Sequence, residues 1–192
     1  SYYGSAPGMA GSARLTDADG NIGKWGLVRV KDTNGNIVDY EYDVVTHNGT
    51  PGNGGTELYL ARVRYTGHAP SSEPGKFSVT FLRDVVSTRP DVNISARLGF
   101  VQVTAHRLDS IVVRFEDEVV RSYGLHYRIG AFRKSLLRSI VEWDREGEEF
   151  YRHEFEYFKD VDQGSGYRPY LDPQEWGSNA NVPDGPLYNP TT

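Results

Sequence analysis

The sequence predicts an all-β fold: an antiparallel meander of about eight or nine strands, curled or stacked, followed by an irregular C-terminal tail. Three observations lead there. Apolar and polar residues alternate with a period of two through residues 104–157, which places successive side chains on opposite faces of a pleated strand. The breaks between these runs, such as Glu116-Asp117-Glu118 and Asp144 to Glu149, are short and charged. Connections of that length join antiparallel neighbours, because a parallel crossover needs about a dozen residues. Thirteen Tyr, eight Phe and twenty-one Gly in 192 residues also suit strands and tight turns better than helices.

Residues 1–13 read as an irregular lead-in, 14–160 as the β domain and 161–192 as a tail rich in Pro, Gly and Asn. The first strong signal is a repeated turn. Asp17-Ala18-Asp19-Gly20-Asn21-Ile22 recurs as Asp32-Thr33-Asn34-Gly35-Asn36-Ile37. Asp-Gly and Asn-Gly favour the two-residue type I′ hairpin turn, so Gly20 and Gly35 are expected at positive φ. Strands are expected over 24–30 and 37–45. In the second, Val38, Tyr40, Tyr42 and Val44 alternate with Asp39, Glu41 and Asp43. The next strand, 58–65, carries Tyr59, Ala61, Val63 and Tyr65 on one face and Arg62 and Arg64 on the other. Paired with the strand before it, its Arg face meets Asp39, Glu41 and Asp43.

Phe77, Val79 and Phe81 mark a further strand, while Pro90 interrupts the apolar residues of 84–99. In the meander, Ile111, Val113 and Phe115 share a face, as do Tyr123, Leu125 and Tyr127, and Tyr151, His153, Phe155 and Tyr157. The run 136–143 is apolar on both faces and is expected to be covered on both.

Composition narrows the function. The net charge of −5, with both signs interspersed and no basic stripe, argues against nucleic acid as a main partner. No apolar run reaches the ~20 residues of a membrane-spanning helix. The absence of cysteine excludes disulfides and thiolate chemistry and is compatible with secretion. No signal peptide is seen and the first residue is Ser, so the chain is expected to be a fragment or a processed product.

No catalytic constellation stands out, and no cofactor or metal is expected. The repeated turns place Ile22 and Ile37 where a calcium-binding EF-hand loop needs Gly. The five histidines lack zinc-ligand spacing. His126 and His153 are read as partly buried, His47 and His68 as solvated loop residues. Glu116, Asp117, Glu118, Glu142, Asp144 and Glu146 offer carboxylate pairs for glycoside hydrolysis, but most fall in turns. The Gly-rich stretch 49–55 precedes no helix bearing a Lys, so it is no phosphate loop. Tyr40, Tyr42, Tyr59, Tyr65, Tyr123 and Tyr127 could line a sugar-binding face, though an aromatic at strand spacing is more often packing.

The ordered series of these motifs resembles a family. Trp25-Gly26-Leu27, Asp32-x-Asn34-Gly35-Asn36 and Tyr40-x-Tyr42 come first. Val63-x-Tyr65-Thr66-Gly67, Val79-x-Phe81, Arg89-Pro90-Asp91 and Gly99-Phe100 follow. Arg107-Leu108-x-x-Ile111, Tyr123-x-Leu125-x-Tyr127, Ser135-Leu136-Leu137-x-Ser139-Ile140 and Phe155-x-Tyr157 close it. Over residues 14–157 this order is similar to SpvB-like proteins and the TcB components of insecticidal toxin complexes, of the Rhs/YD-repeat group. The resemblance implies a β-rich, non-catalytic structural module of a very large secreted bacterial virulence protein. Its partners would be neighbouring domains or subunits, and toxin chemistry would lie in other domains. The rival expectation is a glycan- or cell-surface-binding β domain of an exoprotein. Beyond Val161 nothing matches the family's pattern.

Overall fold

The computed structural model describes residues 1–7, 9, 13–48, 54–69 and 74–157. The chain divides into Ser1–Glu156 and Tyr157–Thr192; the tail expected at 161–192 lies outside the described residues. Among the described residues there are thirteen strands. They are β1 (Tyr2–Tyr3), β2 (Arg14–Thr16), β3 (Ile22–Trp25), β4 (Leu27–Lys31), β5 (Asn36–His47), β6 (Gly55–His68) and β7 (Phe77–Asp84). β8 (Asn93–Ser95), β9 (Gln102–Thr104), β10 (Arg107–Phe115), β11 (Glu118–Ile129), β12 (Ser135–Trp143) and β13 (Glu149–Glu154) complete the set.

The fold is all-β, as the alternation predicts. One sheet of eleven strands follows the path β1-β4-β5-β6-β7-β10-β11-β12-β13 with β8 and β9 attached off it, and β2 and β3 form a separate two-stranded sheet. The strand count exceeds the expected eight or nine because β1, β2, β3, β8 and β9 have two to four residues each, too few to leave a periodic signal. The main pairings are antiparallel; the one parallel contact among the described residues is Thr56 with Gln102, which hangs the β8–β9 hairpin on the start of β6.

Two expectations need correction. The single strand expected at 24–30 is broken at Gly26, where the chain leaves the small sheet and joins the large one. A Cβ there would lie 2.9 Å from the Tyr42 ring and 3.0 Å from the Ala13 Cβ, so only glycine admits this close crossing. The lead-in is also structured: Tyr2 pairs with Arg29 and Tyr3 with Leu27. It supplies Ala6 and Ala13 to a core completed by Leu15, Val28 and Leu58, against which Met9, Tyr42 and Phe100 pack. In β10 the buried residue is Val112, on the face opposite Ile111 and Val113. In β12, Ser139 and Val141 are buried and only Arg138 is exposed, close to the two-sided cover expected.

The repeated turns place Gly20 at φ +87° and Gly35 at φ +90°, as predicted. Their type is different. Asp19 and Asn34 are not at positive φ, so these are not type I′ turns. The Asp32 Oδ1 accepts the N–H groups of Asn34 (2.9 Å) and Asn36 (2.8 Å), and Gly35 N–H bonds back to the Asp32 carbonyl at 3.3 Å. Asp17 does the same with Asp19 and Asn21. The carboxylate fixes a three-residue bend, and glycine takes the left-handed position that closes it. A third copy, Asp144 with Glu146, Glu148 and Gly147 at φ +87°, joins β12 to β13. The sequence reading found only two copies, although Asp followed by Gly three positions later was visible.

Candidate functional site

The expected charge face exists, with its partners reassigned. A one-residue bulge at Ala61 lets Glu41 face Arg62 while Tyr42 faces Leu60. The Arg64 Nε donates to Glu41 Oε1 at 2.8 Å, and Arg62 pairs with the other oxygen at 3.7 Å. Asp39 is taken instead by Arg29, whose Nε and Nη2 donate to its two oxygens at 2.5 and 2.8 Å. Asp43 accepts from Arg83 at 2.5 Å. These residues border a groove of about 950 Å3 over β4–β7. Its guanidinium groups each meet a carboxylate, so the wall is close to charge-neutral.

The same bulge carries Tyr59 to the charged side, where the Arg83 guanidinium lies 4.5 Å from its ring centre. On the other side of this cluster the His106 ring stacks on Tyr59 at 5.8 Å and meets His47 edge-on at 4.7 Å. The Tyr59 hydroxyl accepts the N–H groups of Ala105 (3.2 Å) and His106 (3.3 Å). His47 therefore ends a strand and packs against another histidine, in place of the solvated loop expected for it. Burial, followed by the nearby His47 and Arg83, pushes the His106 imidazole pKa below its ordinary value, and Asp84 partly offsets this. His126 and His153, expected to be partly buried, are exposed: among the described strands β13 is the last of the sheet. His68 is exposed, and its Nε2 contacts the Asn34 carbonyl at 3.0 Å.

Five of the residues singled out by the sequence series, Arg89, Asp91, Arg107, Leu108 and Tyr127, gather in one polar seam beside this cluster. Arg89 Nε and Nη2 donate to the two oxygens of Asp91 at 2.8 and 3.0 Å. Asp91 also accepts the Ser135 backbone N–H at 3.0 Å and its hydroxyl at 2.6 Å. The Arg89 guanidinium first, then Ser135, holds the Asp91 carboxyl far below the usual range despite its burial. Arg107 lies 5.1 Å over the Tyr127 ring, and the Tyr127 hydroxyl donates to the Leu108 carbonyl at 2.8 Å. Burial raises the Tyr127 pKa.

The rest lie elsewhere. Asp32, Asn34, Gly35 and Asn36 form the turn described above. Tyr40 and Tyr42 lie on β5, and Tyr42 packs on the core. Trp25 on β3 is 54 % exposed. Gly99 follows β8 at φ +88°. Tyr123 sits within 3.5 Å of Glu142, which Arg121 also meets, and Leu125 faces Ile140 across β11–β12. Tyr65, Phe77 and Phe115 stack across three strands at 5.3 and 4.8 Å, the packing role expected for Tyr65.

Chemically the seam is a set of charge-assisted clamps. Asp91 is occupied on both oxygens, and the Glu57 carboxylate is shared by Lys24, the Leu58 N–H and the Thr104 hydroxyl. Among the described residues, no group of three or more His, Cys, Asp or Glu is placed to hold a metal ion. No described helix is long and apolar enough to cross a membrane.

Comparison with known proteins bears on the fold. The chain is similar to the N-terminal domain of the effector SpvB from Salmonella typhimurium, with a TM-score of 0.55 and 17 % identity over 69 % of this chain and 55 % of that domain. It is equally similar to the Photorhabdus luminescens Tc holotoxin pore and to the TcdB2-TccC3-Cdc42 structure. Each gives a TM-score of 0.55 and 17 % identity over 77 % of this chain and 9 % of the other. The chain thus spans about half of the first and under a tenth of the other two. No family profile and no curated protein matches the sequence.

Proposed function

We propose that this chain is a non-catalytic structural and assembly module of a large secreted bacterial protein of the SpvB, toxin-complex and Rhs/YD-repeat kind. Its partners in this reading are neighbouring domains or subunits. The observation that carries the proposal is the outer strand β13. It is the last strand of the eleven-stranded sheet, and all six of its residues are exposed. They include Phe150 at 74 % and Tyr151 at 56 %. Among the described residues no strand pairs with its outer side, and an edge of that kind carrying large exposed apolar side chains is a template for another strand, one that soluble proteins normally cover or charge. A neighbouring segment that adds a strand there would satisfy both the backbone and the aromatics. The distant likeness to toxin-complex components supports the same reading, as does a polar seam whose acids and bases are spent on holding segments together.

Sedimentation velocity on the 192-residue chain tests this. We expect association that grows with concentration, and a Phe150→Lys/Tyr151→Lys variant that stays monomeric with an unchanged β-type circular dichroism spectrum. A wild-type chain that is monomeric at every concentration would remove the argument from the edge.

One observation favours the rival reading of a glycan-binding domain. Tyr151 and His153 on β13 and Phe155 just after it form a row of rings, with centroids 6.5 and 4.7 Å apart. Such a row can stack on sugar rings. Binding on a glycan array that is lost in Tyr151→Ala but kept in Phe150→Lys would favour that reading.

A further inference from the structure

We propose that the His47–His106 pair is a proton-operated latch, which holds the segment 93–106 against the start of β6 at neutral pH and releases it in mild acid. His106 lies between β9 and β10, and His47 is the last residue of β5. The edge-on contact of their rings joins two parts of the chain that the main sheet does not pair directly. The His47 Nε2 and His106 Nδ1 atoms are buried, and neither has a hydrogen-bond partner. A neutral imidazole tolerates an unpartnered ring nitrogen better than an imidazolium does, because the cation must place both N–H donors and its charge.

The surroundings are poorly suited to that charge. From β6, Tyr59 presents its ring. From β7 comes Arg83, whose Nε and Nη1 are also buried without a partner. The nearby anions already have cations: Asp43 on β5 binds Arg83, and Asp84 on β7 lies 3.7 Å from Arg107 on β10. A proton on His106 therefore places one more cation beside an arginine, and among the described residues the carboxylates near it are already paired.

The segment that the latch secures is held by the Thr56 N–H to the Val101 carbonyl (3.1 Å), Thr104 to Glu57 (2.9 Å), the two N–H groups on the Tyr59 hydroxyl, the Arg89 N–H to the Ala105 carbonyl (3.0 Å) and Phe100 packed on the core. Val103 and Ala105, each 2 % exposed, are the apolar residues that release would uncover. The direction in pH follows from the lowered His106 pKa. The unfolded or released form binds the proton more readily. The closed form therefore has its full advantage above about pH 6.5, the ordinary imidazole value, and loses it as pH falls from there toward the lower value of the closed form.

Amide hydrogen exchange on the whole chain tests the latch, at pH values about one unit above and below imidazole's ordinary 6.5 and corrected for intrinsic exchange rates. The expected result is a several-fold loss of protection in 93–106 relative to β10–β12 at the lower pH. His106→Phe keeps a ring on Tyr59 but cannot titrate, and should abolish the difference between the two pH values. Equal protection at both values, or a loss spread evenly over the chain, would overturn the proposal. Should the variant fail to fold, an NMR titration of the wild-type histidines decides: His106 titrating at or above the ordinary value refutes the latch.

Discussion

Asp91 accepts both the backbone N–H and the hydroxyl of Ser135, 44 positions further along the chain. Arg89 occupies the same carboxylate from the other side. The two bonds fasten the loop between β7 and β8 to the first residue of β12, so that an irregular, proline-interrupted stretch is held at both ends by ordered strands.

Asp91→Asn keeps the shape but removes the charge that both partners use. The side chain is 6 % exposed and Arg89 is 24 % exposed, so the interaction is little screened. We expect a loss of about 2–4 kcal/mol in urea unfolding. The Asp91 carboxyl is held below its ordinary value by Arg89 and Ser135. Its contribution is therefore complete above about pH 3.9 and fades as pH falls below that. The variant should have a flatter acid limb than the wild type. An unchanged limb would show that the pair contributes nothing.

The Tyr59 hydroxyl serves two backbone N–H groups at once. Tyr59→Phe leaves both without an acceptor and should cost about 1–3 kcal/mol. The effect should appear first as faster amide exchange at Ala105 and His106. A variant as stable as the wild type, with those two amides still protected, would mean that water replaces the hydroxyl.

The three Asp-to-Gly turns make an internal control. An Ala at φ near +90° is strained by about 1 kcal/mol wherever it sits. At Gly147 the added Cβ meets nothing within 4 Å, while at Gly35 it meets His68 at 3.2 Å and the Ala69 carbonyl at 3.3 Å. Gly35→Ala should therefore lower the melting temperature more than Gly147→Ala. Equal effects would locate the whole cost in the backbone.

The same turns are expected to need no cation. The Asn36 amide and then its backbone N–H hold the Asp32 carboxylate below its ordinary pKa, and the Asn21 amide does so for Asp17. Added EDTA should leave the melting temperature where it is. A fall of several degrees would make Asp17, Asp19, Asp32 and Asn34 the first ligands to test.

The strands β5, β6, β7 and β10–β13 were legible because each is long enough for its side-chain alternation to repeat. The faces were less legible. Tyr59 was expected on the side opposite Arg62, and a bulge at Ala61 reverses that, because one unpaired residue shifts the parity of everything beyond it. No local pattern announces such a residue. The third Asp turn did leave a signal, and it was hidden only because its flanking residues are Arg and Glu instead of Asn. The resemblance series assembled Arg89, Asp91, Arg107, Leu108 and Tyr127 without showing that they meet. The His47–His106 contact joins residues with no shared local pattern, so the sequence carried no sign of it.

Eight of the strands in the large sheet form two runs, β4-β5-β6-β7 and β10-β11-β12-β13, in which every strand pairs with its neighbour in the chain. A sheet built this way can be laid down in the order of synthesis, since each new strand needs only the one already in place. Closing a short loop costs little entropy, so each addition is quick. The β8–β9 hairpin is the part that breaks this order. It docks on the start of β6, past the whole of β7, and needs β6 in place. A chain in which that docking had not occurred would expose Val103 and Ala105 while its long strands were already paired.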